Sequence, residues 1–226
     1  MRKNPHVIII EDNVYEGMSY DNMLGDPTPK ITMRHKDLQD RVLSVYSGGK
    51  IFAATGARCG WLIGPEHLIR SARSVHQYSV FCQYNPLENG VGKSLDHISA
   101  PNNTYLLDFA KDMIAKRNLL VRQLLGSSFD FDLWVPKGSH FILADISRIQ
   151  VKEKYIVDEQ GNKRTKDYAF AFQLAKENGV ICIPCSPFYD KGNLAEGEKY
   201  VRFAFCKSNE EILEAGRRMA LKFEEQ

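Results

Sequence analysis

Ser47-Gly48-Gly49-Lys50-Ile51-Phe52-Ala53-Ala54-Thr55-Gly56-Ala57-Arg58-Cys59-Gly60-Trp61 is the stretch that decides how this chain is read. A lysine follows two glycines, and a run of small residues separates it from an arginine and another glycine. The apolar run Val42-Leu43-Ser44-Val45-Tyr46 leads in and reads as a strand. Glycines let backbone approach a bound group closely and allow dihedrals that other residues resist. A lysine held there, partly desolvated, can lose its proton and act as an amine nucleophile. The Ser47 hydroxyl and the Arg58 guanidinium would supply donors for a phosphate, the arginine as a planar fork. Two other readings compete. A phosphate-cradling P-loop requires Gly five residues before the Gly-Lys pair and Ser or Thr after the lysine, where this chain has Ser44 and Ile51. A Gly-rich turn with a solvated lysine is the better account of an isolated Gly-Gly-Lys, and only a second motif overturns it.

That motif is Val7-Ile8-Ile9-Ile10-Glu11-Asp12-Asn13-Val14-Tyr15-Glu16. Four β-branched residues in a row suit a strand buried on both faces, as in a parallel sheet. Open α/β sheets bind ligands beyond the carboxyl ends of their strands, so Asp12 and Tyr15 can reach the cleft that holds Lys50. Taken singly, an Asp after a strand is a cap or turn residue and a Tyr is packing.

Together these segments resemble a known family. Asp12-x-x-Tyr15, Ser47-x-x-Lys50 and Thr55-Gly56-x-Arg58-x-Gly60 look like the pyridoxal-phosphate (PLP) signature of class I/II aminotransferases, which have fold type I. Val201-Arg202-Phe203-Ala204-Phe205 resembles that family's carboxylate-binding arginine strand. The text around Asp12 and Pro184-Cys185-Ser186-Pro187-Phe188-Tyr189 looks most like the kynurenine aminotransferase and cysteine-conjugate β-lyase branch. The resemblance implies that Lys50 attaches PLP covalently and later shuttles a proton. It implies that Asp12 keeps the pyridinium nitrogen protonated, Tyr15 donates to the ring phenolate, and Ser47 and Arg58 hold the phosphate. Arg202 would clamp the substrate carboxylate; on its own it reads equally well as a strand arginine paired with a surface acid.

The resemblance extends to roughly the C-terminal half of a family member. Family chains carry an arm, a phosphate-binding loop, a ring-stacking aromatic and a cofactor-contacting asparagine before the Asp strand, and none of these can be placed here. The expected fold is therefore α/β: an incomplete, mostly parallel cofactor-domain sheet over residues 1–102, then a small α+β domain over residues 103–226. The implied reaction moves an amino group between an L-amino acid and a 2-oxo acid, in a family whose full-length members are homodimers. A PLP carbon–sulfur β-lyase using the same lysine, and a non-catalytic truncated partner subunit, are the alternatives.

Composition bounds this further. With 226 residues, 43% hydrophobic and 26% charged, the chain is long enough for one or two ordinary globular domains. A net charge of +2, without a basic stripe interleaved with aromatics, carries no nucleic-acid footprint. No apolar run approaches the roughly 20 residues that span a bilayer. Met1-Arg2-Lys3 before the Val7–Ile10 run superficially resembles a signal peptide, but Glu11 and Asp12 end that run too early. Five scattered cysteines suit a reducing compartment, with the cytoplasm expected and mitochondria the alternative. Cys182-Ile183-Pro184-Cys185 has the spacing of a redox pair or half a zinc site, yet nothing completes a zinc site and a strand cysteine in the core is the simpler reading.

Along the chain, Leu24 to Pro29 reads as a loop, Arg41 to Ser47 and Cys59 to Gly64 as strands, and Pro65-Glu66 and Asn85-Pro86 as helix starts. Leu106, Ala110, Met113, Ile114, Arg117, Val121 and Leu124 fall on one helical face that Gly126 ends. Phe129–Val135 and His140–Ile146 are expected to pair. Ile149 to Lys166 should be an exposed hairpin or loop centred on Gly161-Asn162, and Asp167–Asn178 a helix stopped by Gly179. Val180–Ile183 and Tyr200–Cys206 read as strands, and Ser208-Asn209-Glu210-Glu211 as a capping box for a last helix. His140 stands where the resembling branch has an aromatic near the substrate but reads equally well as a polar residue at a hairpin end, and Phe188-Tyr189 reads either as lining the side-chain pocket or as packing of the small domain.

Overall fold

A computed structural model describes residues 2–20 and 35–220. The loop expected at Leu24–Pro29 lies outside them. The chain divides into two compact units, Met1–Ala110 and Lys111–Gln226.

In the first unit three strands form one sheet in the order β1 (Ile9–Asp12), β2 (Val42–Ser47), β3 (Gly60–Ile63). β1 and β2 run parallel with Asp12 opposite Val45; β2 and β3 run antiparallel with Ser47 opposite Gly60. The parallel register is held by side chains as well as backbone: buried Ser44 donates to Glu11 Oε2, its register partner, at 2.9 Å. Across β2 and β3, Tyr46 and Trp61 stack at 5.6 Å, the aromatic cross-strand pairing that suits a pleated surface. A single helical turn, α1 (Gly48–Ile51), follows β2 directly. Two longer helices come after β3, α2 (Glu66–Ser79) and α3 (Asn85–Ile98).

One expectation fails here. Far from being buried on both faces, β1 leaves Ile10 69% exposed, and Ile8 just before the strand is 53% exposed. Its β-branched run makes a strand, but β1 sits at the sheet edge, and only Ile9 and Glu11 of its residues are even partly covered.

The helix α4 (Tyr105–Leu125) runs from the first unit into the second. In the second unit β4 (Asp132–Trp134), β5 (Phe141–Asp145), β6 (Ile183–Pro184) and β7 (Tyr200–Ala204) form an antiparallel sheet in the order β4-β5-β7-β6. The expected β4–β5 pairing is present. Short helices α5 (Glu153–Ile156) and α7 (Leu194–Gly197) and longer ones α6 (Lys166–Asn178) and α8 (Asn209–Ala220) complete it. Its core joins Phe129, Phe131, Phe170 and Phe203, whose rings meet at 5.4–5.9 Å, mostly edge to face. Arg117 on α4 is half-buried and donates to the Pro136 carbonyl at 2.8 Å. The capping box forms reciprocally: Glu211 N–H donates to Ser208 Oγ, and Ser208 N–H to Glu211 Oε2.

Two strand assignments shrink. Of Val180–Ile183 only Ile183 is in a strand, because the Val180 amide turns back to the Leu174 carbonyl at the end of α6. Of Phe129–Val135 only Asp132–Trp134 pairs. The stretch 149–166 is a loop with one turn of helix, α5, and a Val157–Lys163 bridge around Gly161. Cys182 and Cys185 are buried core thiols: burial pushes Cys182 up to about 12 and Cys185 up to about 11, the latter opposed by the charge of Arg202.

Candidate active site

The turn that carries Lys50 is pinned by three bonds reaching in from elsewhere. Gly48 N–H donates to the Cys59 carbonyl at 3.0 Å, the Thr55 hydroxyl to the Gly49 carbonyl at 3.1 Å, and the Tyr105 hydroxyl to the Ile51 carbonyl at 2.9 Å. Burial raises the Tyr105 phenol above its ordinary value, which keeps that proton available for donation. Gly48, Gly49 and Ile51 are buried, whereas Lys50 between them is half-buried. Its ammonium lies over the Tyr15 ring, 5.7 Å from the centroid, within the range of a cation–π contact.

The glycines act differently from expectation. None of Gly48, Gly49, Gly56 and Gly60 has a positive φ; the left-handed positions of this loop are Ala53 (φ 50°) and Arg58 (φ 51°). What Gly48, Gly49 and Gly60 supply is space against the protein itself, whereas a side chain on Gly56 would meet nothing within 4 Å. A Cβ on Gly49 would lie 3.1 Å from Thr55 Cα, and one on Gly60 only 2.6 Å from the Tyr46 carbonyl oxygen. Arg58 in the left-handed conformation closes a 3-10 turn, Thr55–Ala57, and so directs the chain into β3 beside Ser47.

The expected residues therefore gather to different degrees. Lys50 and Tyr15 touch. Ser47 and Arg58 are neighbours through the Gly48–Cys59 bond and the Ser47–Gly60 pairing. Arg58 is exposed, and both its backbone N–H and its guanidinium donate to the Thr55 carbonyl over long distances, 3.4 and 3.5 Å. Asp12 ends β1 level with β2 and accepts from the Val14 amide at 3.1 Å through Oδ1, so the turn role foreseen for a lone Asp is real; it makes no bond to Lys50. An amine, a hydroxyl, a guanidinium and an exposed carboxylate at the carboxyl ends of β1 and β2 form a donor set that fits a phosphorylated pyridinium ring. Tyr105 was missed by sequence reasoning. It starts a helix far along the chain, and nothing local marks its hydroxyl as a partner for Ile51.

Arg202 belongs to the second unit. It lies on β7 opposite Leu143 and Ile183, with its guanidinium 3.9 Å from the Phe141 ring centroid and 4.9 Å from that of Phe188. Its Nε is buried and without a hydrogen-bond partner among the described residues. A buried donor left without a partner costs about 1–3 kcal/mol, so a carboxylate bound there would have a donor to satisfy.

Comparison with known proteins bears on this arrangement. Residues 1–219 match the profile of the family described as aminotransferase class I and II. Kynurenine–oxoglutarate transaminase 1 of Rattus norvegicus is 30% identical over 205 residues, covering 89% of this chain and 46% of that protein. The Homo sapiens protein of the same name is 31% identical over 207 residues, with 89% and 46% covered. The crystal structure of Bna3p from Saccharomyces cerevisiae superposes with a TM-score of 0.80 at 28% identity, over 95% of this chain and 49% of that one. YbdL from Escherichia coli, identified as having a methionine aminotransferase function, superposes with a TM-score of 0.73 at 25% identity, over 94% and 50%. The chain spans about half the length of the curated relatives it matches.

Proposed function

This chain belongs to the aminotransferase class I and II family, and from that premise we propose that it carries the covalent half of a PLP-dependent aminotransferase site. The observation that carries the reading is the ammonium of Lys50 lying over the Tyr15 ring, in a pinned turn beside Ser47 and Arg58. PLP, on which this family depends, supplies an electron sink for the carbon bearing the amino group.

The chain's own residues would do the rest. Lys50 holds the cofactor covalently and, when released as a free amine, moves a proton at the substrate carbon. The Asp12 carboxylate keeps a proton on the ring nitrogen, and the Tyr15 hydroxyl orients the ring. The Ser47 hydroxyl and the forked Arg58 guanidinium bind the phosphate dianion. Arg202 takes the substrate carboxylate bidentately, its Nε gaining the partner it lacks. Large or sulfur amino acids are the substrates we infer, kynurenine and methionine by analogy with the relatives' names and glutamine from the resemblance to the kynurenine aminotransferase branch. Residues 1–102 would be the C-terminal part of the cofactor domain and 103–226 the small domain. A cytoplasmic setting agrees with five free thiols.

A second element of the reading comes from β1. Its exposed Ile10, the exposed Ile8 just before it, and its unpaired edge among the described residues suit pairing with the remaining half of an aminotransferase, supplied by more chain or by a partner; a second copy completes the family's dimer. These 226 residues alone are therefore predicted to be a poor aminotransferase. Purified chain with PLP, kynurenine, glutamine or methionine, and several oxo acids should form little product. Lys50-dependent turnover by the isolated monomer would refute the need for the other half. Release of thiol and oxo acid from a cysteine S-conjugate without any added oxo acid would move the assignment to a β-lyase.

A further inference from the structure

The two rings around Arg202 are held very differently. Phe141 is a strand residue, in register with Ala204 of β7, and the sheet fixes it. Phe188 ends a single 3-10 turn, Ser186–Phe188, and is 63% exposed. Something else must hold that turn, and the group in place is a buried acid.

Asp167, in the first turn of α6, is 0% exposed. Its Oδ2 accepts from the Ser186 amide at 2.7 Å. Its Oδ1 accepts from the Thr165 hydroxyl at 2.6 Å and the Tyr168 amide at 2.9 Å. Bonds to a carboxylate are short and strong, so Ser186 is fastened to α6 rather than resting on it. α7 also packs tightly on the turn at Gly197, where a Cβ would lie 2.8 Å from Ser186 Cα and 2.6 Å from the Tyr189 ring. The turn is held by both.

We propose that Asp167 is a positioning residue for Arg202: it grips the Ser186 amide, the amide sets the turn, and the turn lays Phe188 on the guanidinium. The inference rests on the reading of Arg202 as the carboxylate clamp. A guanidinium between two ring faces is confined to one plane, with its edge left to present two parallel N–H donors. A donor pair already set in plane loses less freedom when a carboxylate binds, which is affinity gained through preorganisation. Asp167 touches no substrate. It acts through Phe188.

The test is nuclear magnetic resonance on the isotope-labelled chain. Ring currents from Phe141 and Phe188 should displace the Arg202 Nε–Hε signal from those of exposed arginines. Phe188→Leu and Asp167→Asn should both move it back in the same direction. In the unaltered chain a through-hydrogen-bond coupling should join the Ser186 amide nitrogen to the Asp167 carboxylate carbon, a result that does not depend on any variant folding. Titrated with 3-phenylpropionate, each variant should bind about five- to tenfold more weakly, and the double variant no worse than either. An Arg202 signal that moves with Phe188→Leu but not with Asp167→Asn overturns the proposal, as does absence of the coupling. If 3-phenylpropionate leaves the Arg202 signal of the unaltered chain in place, it is the clamp reading that fails, while the coupling and the variant signals still decide what holds Phe188.

Discussion

At Gly60 a methyl group would sit 2.6 Å from the Tyr46 carbonyl oxygen, a contact with backbone that no rotamer change can relieve. Gly60→Ala is expected to destabilise the first unit by about 1–3 kcal/mol, read as a lowered urea midpoint, because β2 and β3 must separate to admit it. Tyr105→Phe removes one neutral hydrogen bond to the Ile51 carbonyl and should cost about 1 kcal/mol by the same measurement. It should also lower the yield of Lys50 labelling by PLP and borohydride, since the turn loses its far anchor. That Lys50, Ser47 and Arg58 lie close together was legible in the sequence because one segment holds them all, and the Asp12 motif beside that segment is what made an amine near a phosphate site the reading to propose. Tyr105 and Asp167 were not. Their partners lie far away in sequence, and a hydroxyl or an acid near a helix start reads locally as a cap.

Elements were legible where the signal was local and one principle dominated. Ser208 and Glu211 form the capping box that their spacing predicts, and Gly179 at φ 63° stops α6. β1 shows the limit: four β-branched residues identify a strand, but whether both faces are covered depends on what packs against it, which propensity cannot see. The α5–α6 pairing was invisible for the same reason. Glu177 on α6 accepts from Lys152 at 3.0 Å and from the Tyr155 hydroxyl at 3.1 Å. Burial tends to raise its carboxyl, but these bonds and the charges of Lys152 and Lys154 outweigh it, leaving Glu177 below its ordinary value. The folded state thus binds its proton less readily than the unfolded state. The stabilisation is fully present above the unfolded value, about 4.3, and fades as pH falls through the lower folded one. Glu177→Gln should therefore lose about 1 kcal/mol at pH 7, and the gap from the unaltered chain should narrow in urea melts below about pH 4.

For the molecule as a whole, family membership and partial length pull in opposite directions. Lys50, Asp12, Ser47 and Arg58, the residues proposed to hold the cofactor, lie within these 226 residues, while the relatives the chain matches are about twice as long. A β1 edge with exposed isoleucines agrees with a sheet that continues on other chain, and should make the isolated protein prone to associate, visible as a concentration-dependent mass in sedimentation. The central claim is narrower than catalysis and does not require the rest of the fold: Lys50 is the residue that holds PLP covalently. Incubation with PLP, borohydride reduction, digestion and mass spectrometry locate the phosphopyridoxyl group directly. The account predicts that it falls on the peptide containing Lys50 and disappears in Lys50→Ala. Labelling spread evenly over surface lysines, or unchanged by that substitution, would contradict it.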